Sequence, residues 1–426
     1  VLRSASAILS RFRHKLKNAL VFGTDTKSRF HTMRTTGTYV TTTTLGEAVQ
    51  AFLPHPLPPA EPPLAPASYT AAAHRAELAL ARLSGVAGLV PSVDWLLYSA
   101  IRKEALLTSQ IEGTQATLAD LFDDEAGLTV ANIDDVEEVT NYLRAFRLVR
   151  EHLRSPTGLP ISVRLLCDAH RLLLDGARGA GKQPGELRRS QNWIGGVRPG
   201  RAVFVPPPPS HVPGLLADLE RFIHDAEPAL PPLVRVALVH VQFETIHPFL
   251  DGNGRIGRLL IAALLEHWGL LAEPLVYISS HLKQHQAEYY RRLSEVRTEG
   301  DWEGWVGFFL DGVEAAALDA ERGIVAMASL LNADRRRLLA APRVGAVALR
   351  LFELMPLMPR FTIEQVRQKL ETTFPTATAA VKLMEALGIV TELTGQKKNR
   401  CFSYAAYVHL LANGPQPEPT GEARTP

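Results

Sequence analysis

Residues 247–258 read His-Pro-Phe-Leu-Asp-Gly-Asn-Gly-Arg-Ile-Gly-Arg. An imidazole, a carboxylate, an amide, three glycines and two guanidinium groups stand within twelve positions. Imidazole titrates near neutral pH and suits a general base. The Asp251 carboxylate offers hard oxygen to a divalent cation. Arg255 and Arg258 can fork onto phosphate oxygens. Gly252 and Gly254 let the backbone approach a ligand closely. The stretch lies where one apolar helical pattern, Leu233 to Phe243, ends and the next, Arg258 to Leu265, begins. A helix starting there presents unpaired backbone N–H groups and the positive end of its dipole. These residue types in this order describe a polyphosphate site with its own base and metal ligand.

Two upstream segments bear on that site. Thr108-Ser109-Gln110-Ile111-Glu112-Gly113 puts a carboxylate at a predicted helix end, followed by a helix-ending glycine. Such a carboxylate can pair with a phosphate-binding arginine. Within 186–206, Gln191 to Gly196 and Ala202 to Val205 flank a Pro199-Gly200 turn. That pattern predicts a short β-hairpin.

The first stretch resembles the signature of the Fic family, His-x-Phe-x-(Asp/Glu)-Gly-Asn-Gly-Arg-x-x-Arg. His247, Phe249, Asp251, Gly252, Asn253, Gly254, Arg255 and Arg258 meet every fixed position. The resemblance implies transfer of AMP from ATP to a Ser, Thr or Tyr hydroxyl of a target protein or of the enzyme itself, with release of pyrophosphate. His247 would then be the general base, and Phe249 an anchor of the loop in the core. Asp251 would hold Mg²⁺ against the α- and β-phosphates. Asn253 and the Gly252–Gly254 backbone would bind those phosphates. Arg255 and Arg258 would neutralise the β- and γ-phosphates, with Ile256 and Gly257 completing the nucleotide-binding run. The hairpin would be the family's flap, which clamps the target segment by strand-like pairing. Its residues Arg201, Ala202, Val203 and Phe204 would line the nucleotide pocket. Tyr289 would lie near the adenine, and Arg297 stands where the family often has Asn.

Residues 108–113 also fit the family's inhibitory signature, (Ser/Thr)-x-x-x-Glu-(Gly/Asn). Thr108 and Glu112 would be its fixed polar members. Glu112 paired with Arg258 would keep that arginine from the γ-phosphate and hold ATP in a non-reactive pose. Other readings remain open on the same scaffold. They are transfer of UMP, phosphocholine or phosphate, removal of AMP from a modified protein, and a DNA-binding regulator whose Fic core only senses nucleotide.

The elements that must position these groups are mainly α-helical. Periodicity predicts helices at 70–84, 92–110, 114–122, 133–153, 160–175, 212–226, 231–244, 254–268, 283–298 and 302–322. They form one Fic-type catalytic region over 70–330, with the inhibitory helix near 92–113. Past a linker at 330–342, short helices are predicted at 344–355, 362–370 and 375–387. Strands at 390–393 and 401–404 then flank a basic turn, Thr394 to Arg400. This reads as a winged-helix module over 340–411, followed by a disordered Pro/Gly/Glu-rich tail at 412–426. Its third helix is poor in base-reading side chains. Contact with DNA, contact with protein and a homodimer scaffold all remain open for it.

Residues 33–69 read as an N-terminal arm and a proline-rich strap. Residues 1–32 form a basic extension of net charge +6, and the rest of the chain carries −4. Met33 is the first methionine, so a native start there remains open. A mildly acidic body gives no reason to expect bulk nucleic-acid binding. Two distant cysteines, Cys167 and Cys401, suggest neither a disulfide framework nor a zinc site. A cytoplasmic protein is expected. No apolar run approaches the ~18 residues of a membrane span.

Overall fold

The computed structural model describes residues 34–176, 180–226 and 228–414. Contacts divide the chain into residues 1–34 and 35–426, and every element below belongs to the second unit. The basic extension and residues 415–426 of the expected tail lie outside the described residues.

Read from the sequence as arm and strap, residues 33–69 contain a regular β-hairpin. Gly37–Thr44 (β1) pairs antiparallel with Glu47–Pro54 (β2), from Gly37 opposite Pro54 to Thr44 opposite Glu47. The turn residues Leu45 and Gly46 both have positive φ, 50° and 80°. That backbone matches the twist of the flanking strands. The run of β-branched threonines, Thr41 to Thr44, favours the pleated conformation.

Helices follow at Pro66–Val86 (α1), Val93–Ile111 (α2), Leu118–Glu125 (α3), Ile133–Arg154 (α4), Val163–Leu173 (α5), Val212–Ile223 (α6), Pro232–Ile246 (α7) and Asn253–His267 (α8). Ser279–Gln284 (α9), Gln286–Thr298 (α10) and Trp302–Ala340 (α11) complete the helical body. Every residue of α7 from Leu233 to Ile246 is buried, so this helix has no solvent face and forms the centre. The α8 helix packs beside it, and Trp305 of α11 donates its indole N–H to the Ala237 carbonyl at 2.8 Å. Along α11 lies α1, tied by Arg75 to Asp311 and Glu314 and by Arg82 to Glu321.

The predicted linker at 330–342 is helix. The α11 helix runs 39 residues without a break to Ala340. No proline or glycine interrupts 324–340, and Ile324, Met327, Ala328, Leu331 and Leu338 keep the buried face continuous. Beyond it come Ala346–Leu354 (α12), Arg360–Thr362 (β3), Ile363–Lys369 (α13), Phe374–Ala386 (α14), Thr391–Glu392 (β4), Cys401–Ser403 (β5) and Ala405–Asn413 (α15). The sheet order is β3-β5-β4, all antiparallel. Two elements here escape the sequence reading. One is β3, and the other is α15, which lies mostly within the expected module and runs into the expected tail only at Ala412 and Asn413. The buried Asp334 of α11 accepts from the Tyr404 hydroxyl at 2.5 Å. Arg360 pairs with Asp123 of α3 and donates to the Ala119 carbonyl at 3.1 Å. The C-terminal elements are thereby joined to α3 and α11 by buried polar contacts. Among the described residues no helix is long and apolar enough to cross a membrane.

Candidate active site

The α7 helix ends at Ile246, and His247 takes a left-handed conformation, φ 50° and ψ 61°. The chain then turns through Pro248 to Asp251 and enters α8 after Gly252, at φ 77°. Phe249 is 1% exposed and plugs the loop into the core. Asn253 closes the loop on itself. Its Oδ1 accepts from the Phe249 N–H and its Nδ2 donates to the Phe249 carbonyl, both at 2.8 Å. Its side-chain amide is therefore committed to loop geometry. This corrects the expectation that it offers itself to phosphate.

Three residues from other elements hold the loop, and the motif pattern does not single them out. His170 of α5 stacks on Phe249 with centroids 3.8 Å apart. Its Nδ1 accepts from the Gly185 N–H at 2.9 Å, so its Nε2 carries the proton donated to the Asp251 carbonyl at 3.0 Å. Burial pushes this imidazole down to about 4. Arg188 is 2% exposed. It donates to the carbonyls of His247 at 2.8 Å, Pro207 at 2.5 Å and Ile246 at 3.3 Å. Its own N–H reaches the Pro248 carbonyl at 2.9 Å. Arg188 thus ties both ends of the flap segment to the catalytic loop, and burial pushes its guanidinium down to about 10. Glu138 of α4 pairs with Arg255 at 2.5 Å.

The His247 imidazole is pushed down to about 4 by burial and by the nearby Arg188 cation. It is neutral at pH 7 and able to accept a proton. Its Nδ1 has no partner among the described residues. The Asp251 side chain is 46% exposed. Its Oδ1 accepts from the Gly252 N–H at 2.6 Å and lies 3.5 Å from Arg255. Among the described residues no cluster of three His, Cys, Asp or Glu groups could hold a metal. The exposed Asp251 carboxylate nevertheless fits a Mg²⁺ ion that draws its remaining ligands from phosphate and water.

Arg258 is 1% exposed and is held entirely by α2. Its Nε donates to Thr108 Oγ1 at 2.6 Å, and one terminal nitrogen reaches the Thr108 carbonyl at 3.2 Å and the Glu112 carboxylate. Glu112 caps the C-terminus of α2. A Cβ on Gly254 would lie 2.2 Å from Glu112 Oε1, so the carboxylate fits there because residue 254 is glycine. This carboxylate stands at the N-terminus of α8, the position an anion would take. About two turns back on the same face of α2, Glu104 accepts from Ser279 Oγ at 2.5 Å and Ser279 N–H at 3.2 Å. Burial pushes Glu104 up to about 7.

The flap differs from the predicted hairpin. Its pairing is a single bridge, Ile194 with Phe204, and Pro199–Arg201 is a 3-10 turn. Gly195 and Gly196 have φ of 68° and 78°. A Cβ on Gly196 would lie 2.2 Å from the Arg201 carbonyl oxygen. So tight a fold leaves no room for extended strands. The β1–β2 hairpin braces it instead: Phe52 N–H donates to the Val205 carbonyl at 2.9 Å, and Gly200 N–H to Glu47 at 3.1 Å. Arg201 and Val203 are exposed, Ala202 is half-buried and Phe204 is buried. The Arg297 guanidinium lies 4.0 Å from the Phe204 ring centre.

Tyr289 is placed against expectation. It is 1% exposed, and its hydroxyl bonds His240 Nε2 at 2.9 Å. Its neighbour Tyr290, 45% exposed, is the one open to a ligand. The two differ by about 100° of helical rotation, so one ring faces the core and the other is open.

Fold and loop together define a helical protein with a glycine-rich loop between two central helices and the Glu112 carboxylate seated at the start of the second. Residues 70–151 match the Fic/DOC family N-terminal model and residues 160–265 the Fic/DOC family model. Across these segments the chain is similar to the Fic/DOC family. Proteins named protein adenylyltransferase Fic are similar to it. That of Drosophila ananassae is 31% identical over 214 residues, 49% of this chain and 39% of the relative. That of Drosophila melanogaster is 31% identical over 211 residues, 48% of this chain and 39% of the relative. The chain thus spans well under half the length of these curated relatives. The crystal structure of a Fic-domain-containing signaling protein from Bacteroides thetaiotaomicron VPI-5482 shares the fold. Its TM-score is 0.50 at 19% identity, covering 60% of this chain and 97% of that one.

Proposed function

We propose that the protein is an autoinhibited, Mg²⁺-dependent protein adenylyltransferase. The observation that carries this reading is the seating of Glu112 on Arg258 at the start of α8. A carboxylate there mimics the terminal phosphate that a nucleotide would bring, and the two compete for one guanidinium. The adenylyltransferase names of relatives covering the same segment support the choice of AMP.

In this reading α8 and its first-turn N–H groups take the phosphates, and Asp251 holds Mg²⁺, which supplies charge neutralisation. His247, neutral and aimed by its left-handed backbone, accepts the proton of a target hydroxyl. That oxygen bonds to the α-phosphorus as the bond to pyrophosphate breaks. Arg258 enters the reaction once Glu112 leaves it. Arg255, fixed by Glu138, stays in place throughout. The exposed Val203 offers the flap's outer surface to a target segment.

The C-terminal order helix, strand, helix, helix, strand, strand supports reading that part as a winged helix, and we assign it to docking of protein targets. The test is incubation of the Glu112→Gly protein with Mg²⁺ and α-labelled ATP, GTP, CTP or UTP in a cell lysate. Labelling of proteins from ATP above the others is expected. Preferential labelling from UTP, or none from any nucleotide, overturns the reading.

A further inference from the structure

Between the catalytic body and the C-terminal elements runs an open groove of about 1050 Å³. That exceeds the ~300–1000 Å³ of ordinary small-ligand pockets. The loop after α3, residues 126–129, forms one part of its lining. The start of α14 and the β4–β5 turn form the rest, with Phe374, Thr378, Lys397 and Lys398. None of these residues has a part in the reaction described above.

Two features set the chemistry of an occupant. The first is Phe374, an aromatic ring left 52% exposed at the first position of α14. The second is charge. Lys397 and Lys398 are exposed, and among the described residues neither side chain forms an ion pair or hydrogen bond. The other charged groups of the groove are already matched, Glu364 by Arg367 and Arg400 by Glu385. What remains uncompensated is two cations beside an apolar ring. An occupant that complements both carries negative charge and an apolar side chain together.

Duplex DNA is anionic but does not fit this surface. A helix that reads a duplex protrudes into the major groove. The start of α14 instead shares its groove with residues 126–129 of the catalytic body. Its first two turns, Phe374 to Val381, contain no Arg, Lys, Asn or Gln, the side chains that read base edges. A single extended segment needs no such clearance.

We propose that the groove docks an acidic segment of a partner protein, with a leucine or aromatic side chain of that segment on Phe374 and its carboxylates facing Lys397 and Lys398. The inference rests on the assignment of the C-terminal elements to target docking, and it names the chemistry of the target. A segment held there touches the catalytic body and the C-terminal elements at once, which fixes its place relative to the transfer site.

The test is fluorescence anisotropy with the full chain, without nucleotide, and three labelled probes. They are the peptide Glu-Asp-Glu-Leu-Phe-Glu-Asp-Glu, the same peptide with Ser-Ser in place of Leu-Phe, and an oligothymidylate of matched length. The Leu-Phe peptide should bind at least about tenfold more tightly than the Ser-Ser peptide, the scale of burying one large apolar side chain. Phe374→Ala should remove that difference. Lys397→Glu with Lys398→Glu should weaken the Leu-Phe peptide at least about tenfold and flatten its dependence on salt. Thermal melting verifies that each variant is folded. Equal binding of the two peptides, undiminished binding to the charge-reversed protein, tighter binding of the oligothymidylate, or no peptide binding at about millimolar protein overturns the proposal. Because no nucleotide is present, each of these results leaves the adenylyltransferase reading intact. Absence of label transfer from every nucleotide would sink that reading and leave the peptide measurement standing.

Discussion

The Arg258 guanidinium is gripped by Thr108 and Glu112, one helical turn apart on α2 and about 150 residues upstream, separations of 150 and 146. Inhibition by this contact, as proposed, would be a competition between two anions for one buried cation. Glu112→Gly removes one competitor. We expect AMP transfer to the enzyme itself to rise at least about tenfold, or ~1.4 kcal/mol. Thr108→Val keeps the carboxylate and should activate less, since it strips only the Nε partner. The measurement is self-labelling at saturating ATP. Equal rates in wild type and Glu112→Gly would remove the inhibitory role.

His247→Ala should lower transfer by about 10²–10⁴, the usual worth of a positioned base. ATP binding should change by no more than a few-fold, because in the proposed reaction His247 would meet the target hydroxyl rather than the phosphates. Because burial and the Arg188 cation hold the imidazole near 4, kcat/KM should not fall through loss of the His247 base between pH 8 and about 5. A decline centred near 6.5 that disappears in no other variant would mean that the imidazole titrates as if free.

Asp251→Ala should reduce transfer and shift the Mg²⁺ requirement upward. His170→Ala tests the support of that residue. Losing the donor to the Asp251 carbonyl should raise the Mg²⁺ midpoint less than Asp251→Ala does. Overlaying titration curves for wild type and Asp251→Ala would place the metal elsewhere.

Glu244 of α7, 9% exposed, makes a prediction about stability. Burial raises its carboxyl from 4.5 to about 7. The folded protein therefore holds a proton that the unfolded chain has lost. Stability falls as pH rises through that window, by on the order of 3 kcal/mol at most. Glu244→Gln does not titrate, so its melting temperature should gain on wild type from pH 5 to pH 8. A difference that stays constant with pH would show that the carboxyl ionises normally.

The loop was legible because its residues are contiguous and their chemistry is dictated by backbone and phosphate. Glu112 was legible for the same reason, as a short pattern at a helix end. His170, Arg188 and Glu138 were not. They reach the loop across separations of 81, 59 and 117 residues, and each looks locally like an ordinary helix or loop residue. Periodicity located the helices because their buried faces repeat every turn. It was not followed through 330–342, read as a linker, although the apolar positions there keep helical spacing. The resemblance pointed to Tyr289, but one residue of helical phase decides which ring is buried, and Tyr290 is the open one. The β1–β2 hairpin was missed because a threonine run carries no alternation of polarity.

The C-terminal elements pose the remaining question, and deleting them would be a poor test. Leu410 and Leu411 of α15 line a cavity with Leu96 of α2 and Met327 of α11, so truncation would uncover the helix that carries Glu112. Charge reversal at the basic turn avoids this. Lys397 and Lys398 are exposed between β4 and β5, on one side of a groove that also holds Phe374 and Thr378. We expect Lys397→Glu with Lys398→Glu, in the Glu112→Gly background, to leave self-labelling within about twofold, since surface substitutions of this kind rarely disturb a fold. The set of lysate proteins labelled from α-labelled ATP should change, because the turn would steer acidic target surfaces toward the flap. An unchanged set would leave this surface without a role in target choice, and a loss of self-labelling would place it in contact with the catalytic site.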